Sequence, residues 1–236
     1  ILLVPFLLRA QIVHIPDANF KAALVGNSSI NTNGDDEIQV SEAEAYTGGI
    51  YVDNQGIADM TGLEAFTLLQ YLDCSDNQLT SLDVSANTAL TILWCESNQL
   101  ASLDVSANTA LEQLNCSSNQ LTSLNVSGNT AIQTLLCGRN QLTNLDLSAN
   151  TALTSLSCYS NQLTGLDVSA NTALTRLDCW SNQLHSLNVR NGNNASIINF
   201  NAALNPALSC ITVSDVAYAE ANWTNIDEGV IFSEGG

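Results

Sequence analysis

Residues 69–89 read L-Q-Y-L-D-C-S-D-N-Q-L-T-S-L-D-V-S-A-N-T-A, and residues 90–110 read L-T-I-L-W-C-E-S-N-Q-L-A-S-L-D-V-S-A-N-T-A. The second stretch repeats the first 21 residues further on, with most positions unchanged. Carried along the chain at that period, one column holds Cys74, Cys95, Cys116, Cys137, Cys158 and Cys179. A second holds Asn77, Asn98, Asn119, Asn140, Asn161 and Asn182, and two leucine columns run from Leu72 to Leu177 and from Leu79 to Leu184. A fixed period of this length is the mark of a stacked array. Leu72 and Cys74 are two residues apart, so both face one side of a short strand. One turn cannot bury that side alone. Turns stacked about 4.8 Å apart would pair successive strands into a parallel sheet over a continuous core.

The asparagine column falls where each coil leaves its strand, a place where the amide can satisfy backbone groups. Leu82-Asp83-Val84 and its equivalents alternate again, predicting a second narrow sheet on another side of the coil. A degenerate unit precedes the array, with Ile50 and Val52 in the Leu and Cys columns and Gln55 in the Asn column. Another follows, with Ile198 and Phe200 in the Leu and Cys columns; the Asn register is then expected to fail at Ala203-Leu204-Asn205-Pro206. Beyond Cys210, Ser214 to Ala221 predicts a short helix with Ser214 as its N-cap.

The repeating unit is similar to the leucine-rich repeat pattern L-x-x-L-x-L-x-x-N-x-L, with Cys in place of the third Leu. From residue 47 to about 209 the chain resembles secreted bacterial leucine-rich repeat proteins of the internalin-like kind. That resemblance implies an α/β solenoid: a right-handed coil with a parallel β-sheet on its concave face and a small helical N-terminal cap. It also implies recognition of a protein partner, or adhesion, through the concave sheet, with no catalysis in the repeats. The expected divisions are a signal-peptide remnant over 1–10, an EF-hand-like cap over 11–46, the array over 47–209 and a C-terminal cap over 210–236.

Composition supports the same class. Of 236 residues 45% are hydrophobic and only 12% charged, and the net charge is −18. So negative a chain is repelled by nucleic acid and by anionic membrane surfaces. Two histidines, His14 and His185, leave little for acid–base chemistry near neutral pH. The apolar opening run from Ile1 to Leu8 is too short to span a bilayer, and Ala10 at its edge suits a signal-peptide cleavage site, so an exported, secreted or cell-surface monomer is expected. In such a compartment cysteines ordinarily pair. Here the ladder spacing points instead to free thiols stacked as small hydrophobes, because parallel side chains need distortion to bridge.

Before the array, residues 31–42 fit the template of a calcium loop. Asn31, Asn33 and Asp35 supply side-chain oxygens at loop positions 1, 3 and 5, Glu37 offers a carbonyl at 7, and Glu42 a carboxylate at 12. Asp36 stands where such loops want Gly, and two of the ligands are neutral amides, so a weak, structural Ca2+ site is expected. Flanking helices are predicted over Asp17–Val25 and Ser41–Tyr46, the latter with a Ser41/Glu44 capping box.

The strand positions beside Leu and Cys vary from coil to coil. Their columns carry Tyr71; Asp73, Trp94, Asp178 and Asn199; and Glu96, Tyr159, Trp180 and Asn201. Rigid rings set among carboxylates have the composition of a binding surface. The candidate contact patch is Tyr71, Trp94, Glu96, Tyr159, Asp178 and Trp180, taking a protein or glycan ligand. A column of Asp83, Asp104, Asp146 and Asp167 reads as a solvated face, with calcium bridging as its alternative. The competing functional class is an accessory or spacer module of a larger secreted enzyme.

Overall fold

The 21-residue period folds as one coil per repeat. A computed structural model describes residues 11–235; the signal-peptide reading of residues 1–10 lies outside them. Each coil contributes one three-residue strand to a long sheet. These are β1 (Gly49–Tyr51), β2 (Tyr71–Asp73), β3 (Ile92–Trp94), β4 (Gln113–Asn115), β5 (Thr134–Leu136) and β6 (Ser155–Ser157). After β7 (Gly165–Asp167), which joins another sheet, the long sheet continues with β8 (Arg176–Asp178) and, after β9 (Ser186–Val189), β10 (Asn199–Asn201). All eight strands pair in parallel with no slip in register, Leu72 opposite Leu93, Leu114, Leu135, Leu156 and Leu177 in turn.

The leucine and cysteine columns form the interior. The ladder thiols are free and fully buried, whereas Cys210 is free and half-buried. The asparagine column behaves as expected. The Asn98 amide donates to the Cys74 carbonyl of the preceding coil at 2.9 Å and to its own Cys95 carbonyl at 3.2 Å, while its oxygen accepts from Leu79 N–H at 2.9 Å. The same bridging recurs at Asn119, Asn140, Asn161 and Asn182. The residue before each ladder asparagine is left-handed, from Asp76 (φ 51°) to Ser181 (φ 57°), which swings the amide back under the strand.

A second asparagine ladder stands at the other end of the coil. Asn108 donates to the Val84 and Asn87 carbonyls at 2.9 Å each, and Asn129, Asn150 and Asn171 repeat the pattern. These amides are fully buried. The repeat pattern contained this asparagine, but its role had gone unread.

The second sheet is shorter than predicted. It joins only β7, β9, β11 (Cys210–Val213) and β12 (Ile231–Ser233), in the order β12-β11-β9-β7. The earlier coils form no strands on this side, and the inward leucine there is slightly more exposed than in the later coils: Leu82 is 9% exposed and Leu187 1%. Its Asp column is held by local turns, each carboxylate accepting the N–H of the serine two residues on, as Asp83 does from Ser85 at 2.9 Å.

The last unit corrects the expected alignment. Phe200, not Ile198, pairs with Leu177, and Asn199 and Asn201 stand opposite Arg176 and Asp178. Ile198 is 77% exposed. Two extra residues enter this coil, and the Asn register then resumes at Asn205, whose oxygen accepts from Leu184 N–H at 3.2 Å. The backbone follows its hydrogen-bond partners rather than a strict count.

Both ends are covered. Helix α1 (Ala18–Val25) is N-capped by Asp17, whose second oxygen accepts from Ala58 N–H at 2.9 Å and so ties the cap to the first coil. Helix α2 spans Val40–Ala45, with a capping box between Gln39 and Glu42 in place of the Ser41/Glu44 pair. At the far end α3 (Val216–Asn222) is capped by Asp215 rather than Ser214. Trp223 there stacks on Phe200 with centroids 4.1 Å apart.

Burial pushes the Cys116 thiol up to about 12 and raises the other ladder thiols well above their usual range. In the unfolded chain these thiols ionise from about pH 8.5. Above that pH the unfolded state holds fewer protons than the native one, so stability falls as pH rises, by up to ~1.4 kcal/mol per pH unit for each thiol. Urea midpoints measured from pH 7 to 10 are expected to drop steeply above pH 8.5, and less steeply in Cys116→Ala.

Candidate functional site

The outward face of the long sheet is set by the strand positions that flank each inward Leu. In-register pairing puts Tyr51, Asp73, Trp94, Asn115, Leu136, Ser157 and Asp178 in one row across the coils. Side chains on such a row are fixed at their roots by the coil and free at their tips.

The six predicted contact residues all lie on this face, half-buried, but they form two groups. At the N-terminal end Tyr71 meets Trp94 edge-on at 5.5 Å and stacks on Tyr51 at 4.7 Å. Tyr51 was missing from the sequence reading, although it occupies the Asp73 and Trp94 row. At the C-terminal end the Tyr159 and Trp180 rings lie parallel, 2° between planes and 5.3 Å apart. The coils of Asn115 and Leu136 separate the groups, putting Trp94 and Tyr159 about 14 Å apart.

The electrostatics of the groups differ. Burial, then the charges of Asp73 and Asp76, raises the Glu96 carboxyl. Burial, then the charges of Asp73, Tyr51, Glu96 and Asp53, pushes the Tyr71 hydroxyl up to about 12. Glu96 Oε2 accepts from the Asn115 side-chain amide. In the second group burial raises the Asp178 carboxyl against the opposing effects of Trp180 N–H and Arg176, and Arg139 lies 6.0 Å over the Tyr159 ring.

In the cap, the expected calcium residues are gathered in one loop and hydrogen-bonded to one another. Glu42 Oε1 accepts from Thr32 N–H at 2.7 Å and Asn33 N–H at 3.2 Å, and Oε2 from Gln39 N–H at 3.0 Å. Asp35 Oδ2 accepts from the Asn33 and Gln39 amides, both at 3.0 Å. Asn31 donates to the Asp35 carbonyl at 2.7 Å, and Glu37 pairs with Lys21 at 2.7 Å. The oxygens suit a hard cation in kind, and their present donors compete with it.

No cluster of three or more His, Cys, Asp or Glu suited to a metal occurs among the described residues, and no helix there is long and apolar enough to cross a membrane.

A family model described as leucine-rich repeats in two copies matches residues 67–108. No curated protein matches the chain. Among solved structures, the functional domain of InlJ from Listeria monocytogenes, which includes a cysteine ladder, is 31% identical with a TM-score of 0.63. That match covers 87% of this chain and 53% of the InlJ domain, so the chain spans about half the length of that domain. Internalin C2 of the same organism is 24% identical with a TM-score of 0.70, over 95% of this chain and 98% of that one. An internalin InlF, also of Listeria monocytogenes, is 18% identical with a TM-score of 0.53, over 90% and 74%. The last two share the fold.

One glycine holds the second ring group together. A Cβ on Gly138 would come 2.4 Å from Tyr159 Cε1, so the ring lies flat only because that coil has no side chain there. Gly138→Ala is expected to tilt Tyr159 out of its stack with Trp180. Near-UV circular dichroism and tryptophan fluorescence should change while the far-UV spectrum stays as it was, with stability within about 0.5 kcal/mol because the ring can swing toward solvent.

Proposed function

The chain is a leucine-rich repeat protein of internalin-like build, and on that premise we propose that it is a non-catalytic recognition module, exported to the cell surface or medium. It binds a protein partner through the outward, concave face of its long sheet. The observation that carries this reading is the pair of ring groups on that face, Tyr51/Tyr71/Trp94 and Tyr159/Trp180, held in fixed geometry by coils whose interior barely varies. Partly exposed aromatic residues beside carboxylates supply contact area at small entropic cost, together with charge for specificity. The buried, protonated thiols are inert as nucleophiles, which supports a binding rather than a catalytic role.

A protein and glycan array screen of the whole chain should yield a saturable protein ligand. Trp94→Ala and Trp180→Ala are each expected to weaken its capture at least tenfold with an unchanged far-UV spectrum. Capture that survives both substitutions would move the site off this face.

The cap is proposed to take Ca2+ weakly, through Asn31, Asn33, Asp35, the Glu37 carbonyl and Glu42. The hydrogen bonds now made by Glu42 and Asp35 must be exchanged for the ion, so half-saturation is expected at about 10⁻⁴–10⁻³ M. Isothermal titration calorimetry checks this, with Glu42→Gln abolishing the heat; a flat titration of the unaltered chain would remove calcium from the cap.

A further inference from the structure

The N-terminal half of the concave face carries negative charge with no counter-charge beside it among the described residues. No Lys or Arg occurs in the sequence between Lys21 and Arg139, and Lys21 is engaged with Glu37 at 2.7 Å. Burial and then the charges of Asp73 and Asp76 shift Glu96 toward its protonated form, and burial with Asp73, Glu96 and Asp53 does the same to Tyr71. Carboxylates that disfavour one another's charge are stabilised by an arriving cation. The C-terminal half supplies its own: Arg139 over Tyr159 and Arg176 beside Asp178.

Next to these charges lies a hollow of about 250 Å³. Trp94 and Leu136 give it apolar walls, with Gln113, Asn115 and Thr134 between, and Glu96 stands at its edge. Asn115 engages only the Oε2 oxygen of Glu96, which orients the carboxylate and leaves Oε1 for a partner. An apolar slot with an indole wall and one carboxylate matches a long aliphatic stem bearing a cationic head. A planar guanidinium fits best, because it can lie on the indole and pair with the carboxylate together.

We propose that the hollow between Trp94, Glu96 and Leu136 receives an arginine side chain from a basic segment of a protein partner. This deepens the reading of the concave face as a binding surface and rests on it.

The test uses the whole chain and a synthetic peptide of five Gly-Ser-Arg units, with its citrulline counterpart, which keeps the shape and loses the charge. Calorimetry at 50 mM NaCl is expected to show binding of the arginine peptide, at least tenfold weaker with citrulline and at least tenfold weaker in Glu96→Gln. Asp104→Asn and Asp146→Asn, both on another side of the coil, should stay within twofold of the unaltered chain. Equal binding of the citrulline peptide would overturn the proposal. So would a loss in Asp104→Asn as large as in Glu96→Gln, which would mean attraction by net charge alone. Tighter binding of a chitosan oligomer than of the peptide would assign the surface to a cationic glycan instead. If the arginine peptide fails to bind while Trp94→Ala still abolishes capture of the ligand found by array, the inference falls and the face remains the binding site.

Discussion

A side-chain amide that reaches the backbone of the coil before it is the interaction on which this molecule depends. In a solenoid of three-residue strands, most of each coil lies outside the sheet, and its carbonyls and N–H groups turn toward an apolar interior where an unpaired group costs about 1–3 kcal/mol. Two asparagine ladders meet that demand at opposite ends of the coil. The Asn98 ladder both donates and accepts between neighbouring coils. The Asn108 ladder donates twice, and its buried Oδ1 atoms have no partner among the described residues. Each amide constrains the length of chain between itself and its partners, so coil length is uniform wherever both ladders run. Where two residues are added before Phe200, Asn205 restores the Cys179 and Leu184 bonds, and the stack continues.

With the backbone satisfied by amides, the interior can be small and uniform. Cysteine in place of leucine narrows the core beside each strand, and free thiols need no partner. At the end of the column Ala202 takes the cysteine place, and its N–H bonds the Asn225 carbonyl of the C-terminal cap, while Trp223 closes over Phe200. The cap therefore does for the last coil what a following repeat would do. Asp17 performs the matching task at the other end, accepting from its own helix and from the first coil at once.

The columns of Leu, Cys and Asn were legible in the sequence because each is an identity repeated at one period, and the sheet, its register and the buried thiols follow from them. What escaped was set by local backbone geometry or by contact between coils. The left-handed residues from Asp76 to Ser181 are serine in four coils, Asp in one and Arg in one, and serine has no special preference for that conformation, so the column does not announce it. The second asparagine ladder was visible as letters, yet its role depends on which carbonyls its buried amide can reach. The shift at Phe200 follows partners that sequence spacing cannot weigh. On the outward face of the long sheet, column membership puts Tyr71, Trp94, Glu96, Tyr159, Asp178 and Trp180 on one surface. Their division into two groups, and the addition of Tyr51 to the first, depend on ring orientations that a column cannot record.

That division follows from the architecture. Since every coil is anchored by the same amides and filled by the same Leu and Cys, a substitution on the outward face changes nothing beneath it, and each coil presents its side chains almost independently of the others. Coupling between coils returns where a side chain reaches across one step, as Tyr51 does to Tyr71, Tyr159 to Trp180 and Asn115 to Glu96. The plain coils of Asn115/Ser117 and Leu136/Gly138 interrupt that reach, and Gly138 also makes room for the Tyr159 ring. The face thus holds two ring platforms of unlike charge environment on one regular support. A partner that contacted both would have to match their spacing as well as their chemistry, so the coil count between them would set specificity as much as the rings would.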